Sequence, residues 1–378
     1  MNLAQLRKPK RFAMPAKLCF AGTREESVLL SVPEKSFSDP HHCEVFFNPA
    51  MRFSRSMASI ALGASGKKIV LDGLCATGAK GLRLAKENKI ENVFLLDANP
   101  AAIELAEQNI VLNKMQNAQA VCEDFNAFCL SHPVFFDFIE IDPFGSPTPF
   151  LEAALVALKN KGVLSVTSTD LANLCGKTKP CEKFYQARPL KNAFSHETAL
   201  RILLGKIALV AQSKGFTIKP LVCYYQGHHA KAIVKCVKAK STAKLDFVSY
   251  CEKCLKAKVG KQKNCACKNR MIIGGPLWSS AFCDKAFLKK MLAFNAERKY
   301  ADERKIEKML SFLLEEQNFP PFFYDLHFVA DHFGLKIESK TDDILKRLKK
   351  KGFRAVRTHF EPLGIKTNAP VKEICSCL

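Results

Sequence analysis

The sequence predicts an α/β protein with a mainly parallel sheet covered on both faces, and two observations carry that prediction. From Lys68 to about residue 238, short apolar runs alternate with longer helical stretches, the order of a parallel sheet with crossover helices. Hydrophobic residues make up 48% of the 378, enough for packed cores and, at this length, for more than one domain. Residues 1 to about 45 are mixed, with Pro33 and Pro40 breaking any long helix. Phe46 to Leu62 reads as an Asn48-Pro49 loop and then a helix rich in Met, Ala and Ser. Strands are expected at 69–71, 93–96, 119–122, 136–141, 162–166, 217–222 and 230–237. Helices lie between them, notably at 101–113 and 198–212. From Lys231 to Arg270 the texture turns lysine-rich, with twelve basic residues against two acidic ones, and shows little periodicity. Residues 285–316 read as charged amphipathic helices. Phe322 to Pro370 reads as helix, turn at Gly334, helix (342–351) and an extended 354–358 segment, an order that resembles a winged helix.

The 58 Lys and Arg against 36 Asp and Glu give a net charge of +22. Such an excess points to a polyanionic partner, because neutralising phosphates releases condensed counterions. No apolar run approaches the ~18 residues of a membrane span. Arg7, Lys8, Lys10 and Arg11 are followed by Pro15 and Lys17, which interrupt the apolar stretch a signal peptide needs. The 16 cysteines are too sparse for a disulfide scaffold. Cys75, Cys122, Cys129, Cys223 and Cys236 sit singly in apolar stretches, as small hydrophobes do. A reduced, cytoplasmic protein is expected, and no feature points to a protein partner.

The run from Asp72 to Gly81 directly follows the first strand of the alternating region. A glycine-bearing turn there, around Gly78, lets the backbone approach a nucleotide-like ligand, although a plain strand-to-helix connection looks similar. Asp97 ends the next strand, where a carboxylate can accept hydrogen bonds from both hydroxyls of a ribose. That spacing fits nicotinamide dinucleotides as well. The G-x-G-x-x-G fingerprint for a pyrophosphate is absent, however, which favours a cofactor without phosphates, S-adenosylmethionine. Asp124, with Phe125 beside it, stands where an adenine amino group would be bound; a helix N-cap is its alternative role. Asp72, Asp97, Asp124 and Asp142 each follow or end a predicted strand, so the four acids should collect along one sheet edge, where ligands bind.

Asp142-Pro143-Phe144-Gly145-Ser146 follows the strand at 136–141. An aromatic amine is a poor nucleophile because its lone pair is delocalised into the ring. It must be held in line, with its N–H groups bound by acceptors so that the nitrogen can pyramidalise. Asp142 and a backbone carbonyl fixed by Pro143 supply such acceptors. Phe144 can stack on the base, and Asp142 can take the leaving proton. Asp-Pro-Phe-Gly is also simply a good turn.

At these residues the chain resembles class I methyltransferases, and within them the tRNA (guanine(26)-N2)-dimethyltransferase family. Matching stretches run nearly its full length: Phe46-Phe47-Asn48-Pro49, the 76–78 turn, Asp142 to Ser146, Thr167-Ser168-Thr169-Asp170 and Cys175-Gly176. Further matches are Pro189-Leu190, His196-Glu197, Tyr224-Tyr225, Gly275-Pro276-Leu277-Trp278, and Thr358-His359-Phe360 with Gly364 to Thr367. The resemblance implies a Rossmann-like class I methyltransferase sheet at 46–238 behind an N-terminal extension (1–45). It implies methyl transfer to guanine N2 in tRNA, with Arg55, Lys80, Asp97, Asp124 and Phe125 touching S-adenosylmethionine and Asp142 in the catalytic motif. Two departures stand out. Ser54 and Ser56 flank Arg55 where archaeal members commonly carry Asn and Asp, and Lys80 stands where Arg is expected, a point charge in place of a bidentate fork.

Cys251-x-x-Cys254 and Cys265-x-Cys267 are ten residues apart in the polar, lysine-rich segment (239–284). Four thiolates so spaced suit structural tetrahedral zinc. Cys375 and Cys377 read as a mobile tail. The lysines around this zinc knot, the run Lys346, Arg347, Lys349, Lys350, Lys351, and Arg357 with His359 are candidate tRNA contacts, the latter on a C-terminal α+β domain (285–378). Two rival readings are an amino-methyltransferase of adenine or cytosine and a non-catalytic tRNA-binding protein of the same fold. The first typically carries a second Pro where Phe144 stands. The second has no use for four intact acids.

Overall fold

The computed structural model describes residues 20–178, 181–239, 243 and 245–378; the basic stretch from Arg7 to Lys17 lies outside them. The chain forms two compact units.

The first takes in the described part of 1–142 with 152–165 and 294–303. A hairpin of β1 (Phe20–Glu25) and β2 (Val28–Pro33) precedes helix α1 (Arg52–Ser65). Strands and helices then alternate: β3 (Ile69–Gly73), α2 (Ala79–Glu87), β4 (Asn92–Asp97), α3 (Pro100–Leu112) and β5 (Ala118–Cys122). They continue as α4 (Phe125–Ser131), β6 (Phe136–Ile141), α5 (Leu151–Ala157) and β7 (Leu158–Ser168). Strands β5, β4, β3 and β6 lie side by side in parallel, with Asp72 opposite Leu95 on one side and Glu140 on the other. The inner strands β3, β4 and β6 are mainly apolar because neither face meets water: Val70, Leu71, Leu95, Phe138 and Ile139 are fully buried. Helix α3 starts on an Asn99 cap with Pro100 at its first position, and α1 ends on Gly66 at φ 65°.

The hairpin at residues 20–33 carries no alternation that sequence reading caught. It is fastened to α3 by two asparagines one turn apart. Asn109 accepts from the Ser31 N–H (2.6 Å) and donates to its carbonyl (3.0 Å), and Asn113 does the same for Leu29 (2.9 and 2.6 Å). Two side-chain amides thus stand in for a neighbouring strand.

The second unit holds 143–151, 166–293 and 304–378. Helices α6 (Leu171–Leu174), α7 (Cys181–Tyr185) and α8 (Ser195–Ser213) precede a long antiparallel hairpin, β8 (Phe216–Gln226) and β9 (His229–Lys238). The lysine-rich segment forms a three-stranded antiparallel sheet, ordered β11 (Ala257–Val259), β10 (Leu245–Tyr250), β12 (Ile272–Trp278). Helices α9 (Lys285–Arg298) and α10 (Glu303–Glu316) lead to β13 (Tyr324–Asp325), α11 (Leu326–His332), α12 (Thr341–Lys350), β14 (Ala355–Arg357), β15 (Gly364–Thr367) and α13 (Val371–Cys375). The last three strands pair antiparallel in the order β13, β15, β14. The C-terminal tail is packed and not mobile: Ile374 and Cys377 are buried, and Arg347 donates to the Cys377 carbonyl (3.2 Å).

Candidate active site

Four parallel neighbours place their carboxyl ends on one edge, so Asp72, Asp97, Asp124 and Asp142 follow the strand order there. They differ in depth and partner. Asp97 ends β4 with both oxygens on backbone, accepting from Ala76 N–H (2.9 Å) and Asn99 N–H (2.9 Å). The Ala76 contact holds a strained turn, in which Leu74 (φ 63°), Ala76 (φ 49°) and Gly78 (φ 74°) all take left-handed backbone. Asp124 is exposed and caps α4, accepting from Ala127 N–H (2.9 Å), the alternative role foreseen for it. Asp72 lies deepest, buried and accepting from Gly81 N–H (2.7 Å).

Lys80, on the first turn of α2, gathers three of the acids. Its ammonium is ion-paired to Glu140 (2.8 Å) and to Asp142, and Asp72 acts on it as a third carboxylate. Burial works against the Lys80 charge, but Asp142, Glu140 and Asp72 outweigh it and hold its pKa above the ordinary lysine value. Burial also lifts the Asp72 carboxyl to about 7, Lys80 opposing and Glu140 and Asp142 adding to the rise. Asp142 keeps 21% of its side chain in contact with solvent while Glu140 keeps none. Of the pair, only Asp142 can meet a ligand.

Arg55 is buried and turned to the N-terminal hairpin. It donates to Glu25 through Nε (2.7 Å) and Nη2 (2.5 Å) and to the Asn48 carbonyl (3.0 Å), with its guanidinium over the Phe47 ring. Arg83, fully buried, shares Glu25 (2.9 Å) and also pairs with Glu87 (2.8 Å). The Phe125 ring lies against Gly73 so closely that a Cβ there would meet it at 2.3 Å. Only glycine fits at the end of β3.

Pro143 to Ser146 continue the chain in the second unit. Phe144 is 68% exposed, an unusual setting for a large apolar ring. The next residue, Gly145 (φ 75°), is hydrogen-bonded in both directions to Thr169.

The sulfurs of Cys251, Cys254, Cys265 and Cys267 all lie within 4.8 Å of one another, with Cys251–Cys267 and Cys254–Cys265 at 3.5 Å. Sulfurs around a tetrahedral ion with ~2.3 Å bonds stand about 3.8 Å apart, so the group has the shape of a metal site. The His359 ring, a candidate RNA contact, is shut away from solvent between Glu316 (2.8 Å) and the Tyr225 N–H (3.2 Å), which removes it from phosphates.

A model of the family described as N2,N2-dimethylguanosine tRNA methyltransferase matches residues 27–378. The chain belongs to this family. The tRNA (guanine(26)-N(2))-dimethyltransferase of Pyrococcus furiosus is 38% identical over 86% of this chain and 90% of its own, and that of Pyrococcus abyssi 33% identical over 88% and 92%. Trm1 of Pyrococcus horikoshii, solved in complex with S-adenosyl-L-methionine, superposes with a TM-score of 0.85 at 31% identity, covering 94% of this chain and 99% of that one.

Within this family member, sequence reading missed Glu140 and Glu25, the acids that hold Lys80 and Arg55. The signal for Glu140 was present: a carboxylate flanked by Ile139 and Ile141 in a fully buried strand demands a cation. Glu25 lies in the hairpin and offered none.

Proposed function

We propose that the protein transfers methyl groups from S-adenosylmethionine to the exocyclic N2 of a guanine in tRNA, at the position 26 for which its relatives are named, giving N2-methyl- and N2,N2-dimethylguanosine. The observation that carries this reading is a half-open carboxylate at the end of a parallel strand, Asp142, followed two residues on by an exposed aromatic plate, Phe144.

The edge fits the cofactor. Asp97 and Asp124 offer acceptors for ribose hydroxyls and an adenine amine, and each Asp97 oxygen has a lone pair beyond its backbone bond. Gly78 gives backbone approach, and Phe125 walls the site beside Gly73. Lys80 holds the acids in register, while Asp72 and Arg55, both buried, brace the turn and the hairpin. The bound group would supply an electrophilic methyl carbon on a sulfonium.

The Asp142 carboxylate, ion-paired to Lys80, accepts a hydrogen bond from the guanine amine, drawing the nitrogen out of conjugation. The Pro143-fixed backbone offers the second acceptor. Phe144 stacks on the purine and keeps its plane constant between the first and second methylation. The proton released on N–C bond formation passes to Asp142, a transfer worth typically about 10²–10⁴-fold in rate.

The same reading gives the four cysteines a structural zinc ion and casts α11, α12 and the strands β13–β15 as a winged-helix-like tRNA module. It places the protein in the cytoplasm with other tRNA-modifying enzymes.

Mass spectrometry of nucleosides from unmodified tRNA, incubated with protein and S-adenosylmethionine, tests the proposal. N2-methylated guanosines are expected. Asp142→Ala should abolish them while tRNA affinity stays within about twofold. Methylated adenosine or cytidine, or retained turnover in the variant, would refute the reading.

A further inference from the structure

The run Thr167-Ser168-Thr169-Asp170 has no part in the chemistry above, yet it is built around the loop that does. The Gly145 N–H donates to Thr169 Oγ1 (2.7 Å), and the Thr169 N–H donates back to the Gly145 carbonyl (3.1 Å). The Ser168 hydroxyl reaches the same carbonyl (3.4 Å). Both polar groups of one backbone residue are therefore taken by residues 168 and 169, as in a rung of a sheet ladder completed by a side chain. At φ 75° Gly145 occupies the left-handed region, where glycine keeps the most freedom and fixing it costs the most entropy.

The clamp is itself braced. The Ser168 hydroxyl lies 3.2 Å from that of Tyr185, Tyr185 donates to Asp170 Oδ2 (3.2 Å), and Asn173 donates to both Asp170 oxygens (2.8 and 2.9 Å). Ser168 and Tyr185 are buried, whereas Phe144, one residue before the clamped glycine, is exposed. A turn needing only local stability would be served by its own backbone bonds. Here the Thr169 hydroxyl, next in sequence to a serine tied into a buried network, is committed to the glycine beside the aromatic plate.

We infer that Thr169 is a positioning residue: by fixing Gly145 it sets the pitch of Phe144, and with it the plane in which the acceptor base stacks. The inference rests on the methyl-transfer reading above. A misplacement of about 1 Å costs on the order of 10²-fold in rate, so the clamp acts on turnover and not on the cofactor.

The test compares Thr169→Val, which keeps the shape and removes the hydroxyl, with Thr169→Ser, which keeps the hydroxyl. Tyr185→Phe, which loosens the brace from a distance, is the third variant and serves if Thr169→Val does not fold. Steady-state kinetics are read together with the fluorescence of tRNA carrying 2-aminopurine at the target position, whose emission is quenched by stacking. Thr169→Val should lower kcat about 10- to 100-fold, leave KM for S-adenosylmethionine within about twofold, and lose most of the quench. Thr169→Ser should restore both to near wild type. Tyr185→Phe should fall between them. An undiminished kcat or quench in Thr169→Val, or equal losses in the Val and Ser variants, would overturn the inference; if only Tyr185→Phe folds, wild-type behaviour there does so. Wild-type protein in the same assay separates the two proposals. No N2-methylated guanosine from wild type refutes the activity itself, while normal wild-type product beside an undiminished variant refutes only the positioning role.

Discussion

Glu140 and Asp142 are two residues apart at the end of β6, so their side chains leave the same face of the sheet. A single ammonium can therefore bridge them, and Lys80, arriving from α2, does so. Across the ladder Asp72 stands opposite Glu140. Three carboxylates thus share one cation, and the one not directly paired to the ammonium yields: Asp72 is the one whose carboxyl is pushed up to about 7, by burial first. An acid with a folded value near 7 and an unfolded value near 4 keeps a proton in the native chain that the unfolded chain has released. Between those pH values stability falls as pH rises, by up to about 1.4 kcal/mol per unit, and the loss is complete above pH 7. Asp72→Asn keeps an acceptor for Gly81 and carries no charge, so it lacks this slope. Urea unfolding at pH 5, 6, 7 and 8 should show the difference between variant and wild type moving in favour of the variant as pH rises. A difference that stays constant across the series would refute the shared-cation account. Of this cluster, the acids at strand ends were legible because turns and strand ends are where solvent-tolerant groups belong. The Lys80–Glu140 pairing was not, because it joins positions 60 residues apart.

Elements were legible where their burial leaves one pattern. The strands β3, β4 and β6 are mainly apolar, since both faces are covered, and α8 spans Ser195–Ser213 around the expected 198–212. The sheet of β10, β11 and β12 was not legible: β11 is only three residues long, the first half of β10 is half-buried, and β12 is interrupted by Gly274-Gly275-Pro276, which reads as a turn. Motifs without an assigned role also became legible as structure. Glu197 and Lys366, from two separate matching stretches, form a buried ion pair (2.9 Å) that Arg201 joins (2.8 Å). Burial opposes the Glu197 charge, yet Lys366 and Arg201 hold its pKa down to about 2. The cysteine knot makes its prediction at this scale. An ion shared by the four cysteines would order the loops beside these three short strands, and structural zinc typically supplies about 10–16 kcal/mol. Elemental analysis should find one zinc per chain, and Cys254→Ser should lose it and lower the melting temperature. Unchanged metal content in the variant would remove zinc from the account.

At the scale of the whole molecule, the excess of 22 positive charges makes no statement about the fold but a definite one about tRNA. Five of the cations named above are consumed internally: Lys80, Arg55, Arg83, Arg201 and Lys366 are all buried in ion pairs. Along α12 and just after it, Lys346 pairs with Asp343, Lys351 with Glu373, and Arg347 donates to the Cys377 carbonyl. Lys349 and Lys350 are exposed and have no ion pair among the described residues, so they are the members of the run best placed to meet phosphates. If about five to eight phosphates are engaged, the logarithm of tRNA affinity should fall against the logarithm of salt with a slope of roughly −4.5 to −7 on double-helical regions. Replacing Lys349 and Lys350 together by alanine should make that slope shallower by about 2 and weaken binding alike for every tRNA tested. Filter binding from 50 to 200 mM salt, on the order of a thousandfold loss for wild type, has the range to resolve it. A slope unchanged by the double substitution would mean that this helix faces solvent, and that the lysines of the cysteine-rich sheet carry the nucleic acid instead.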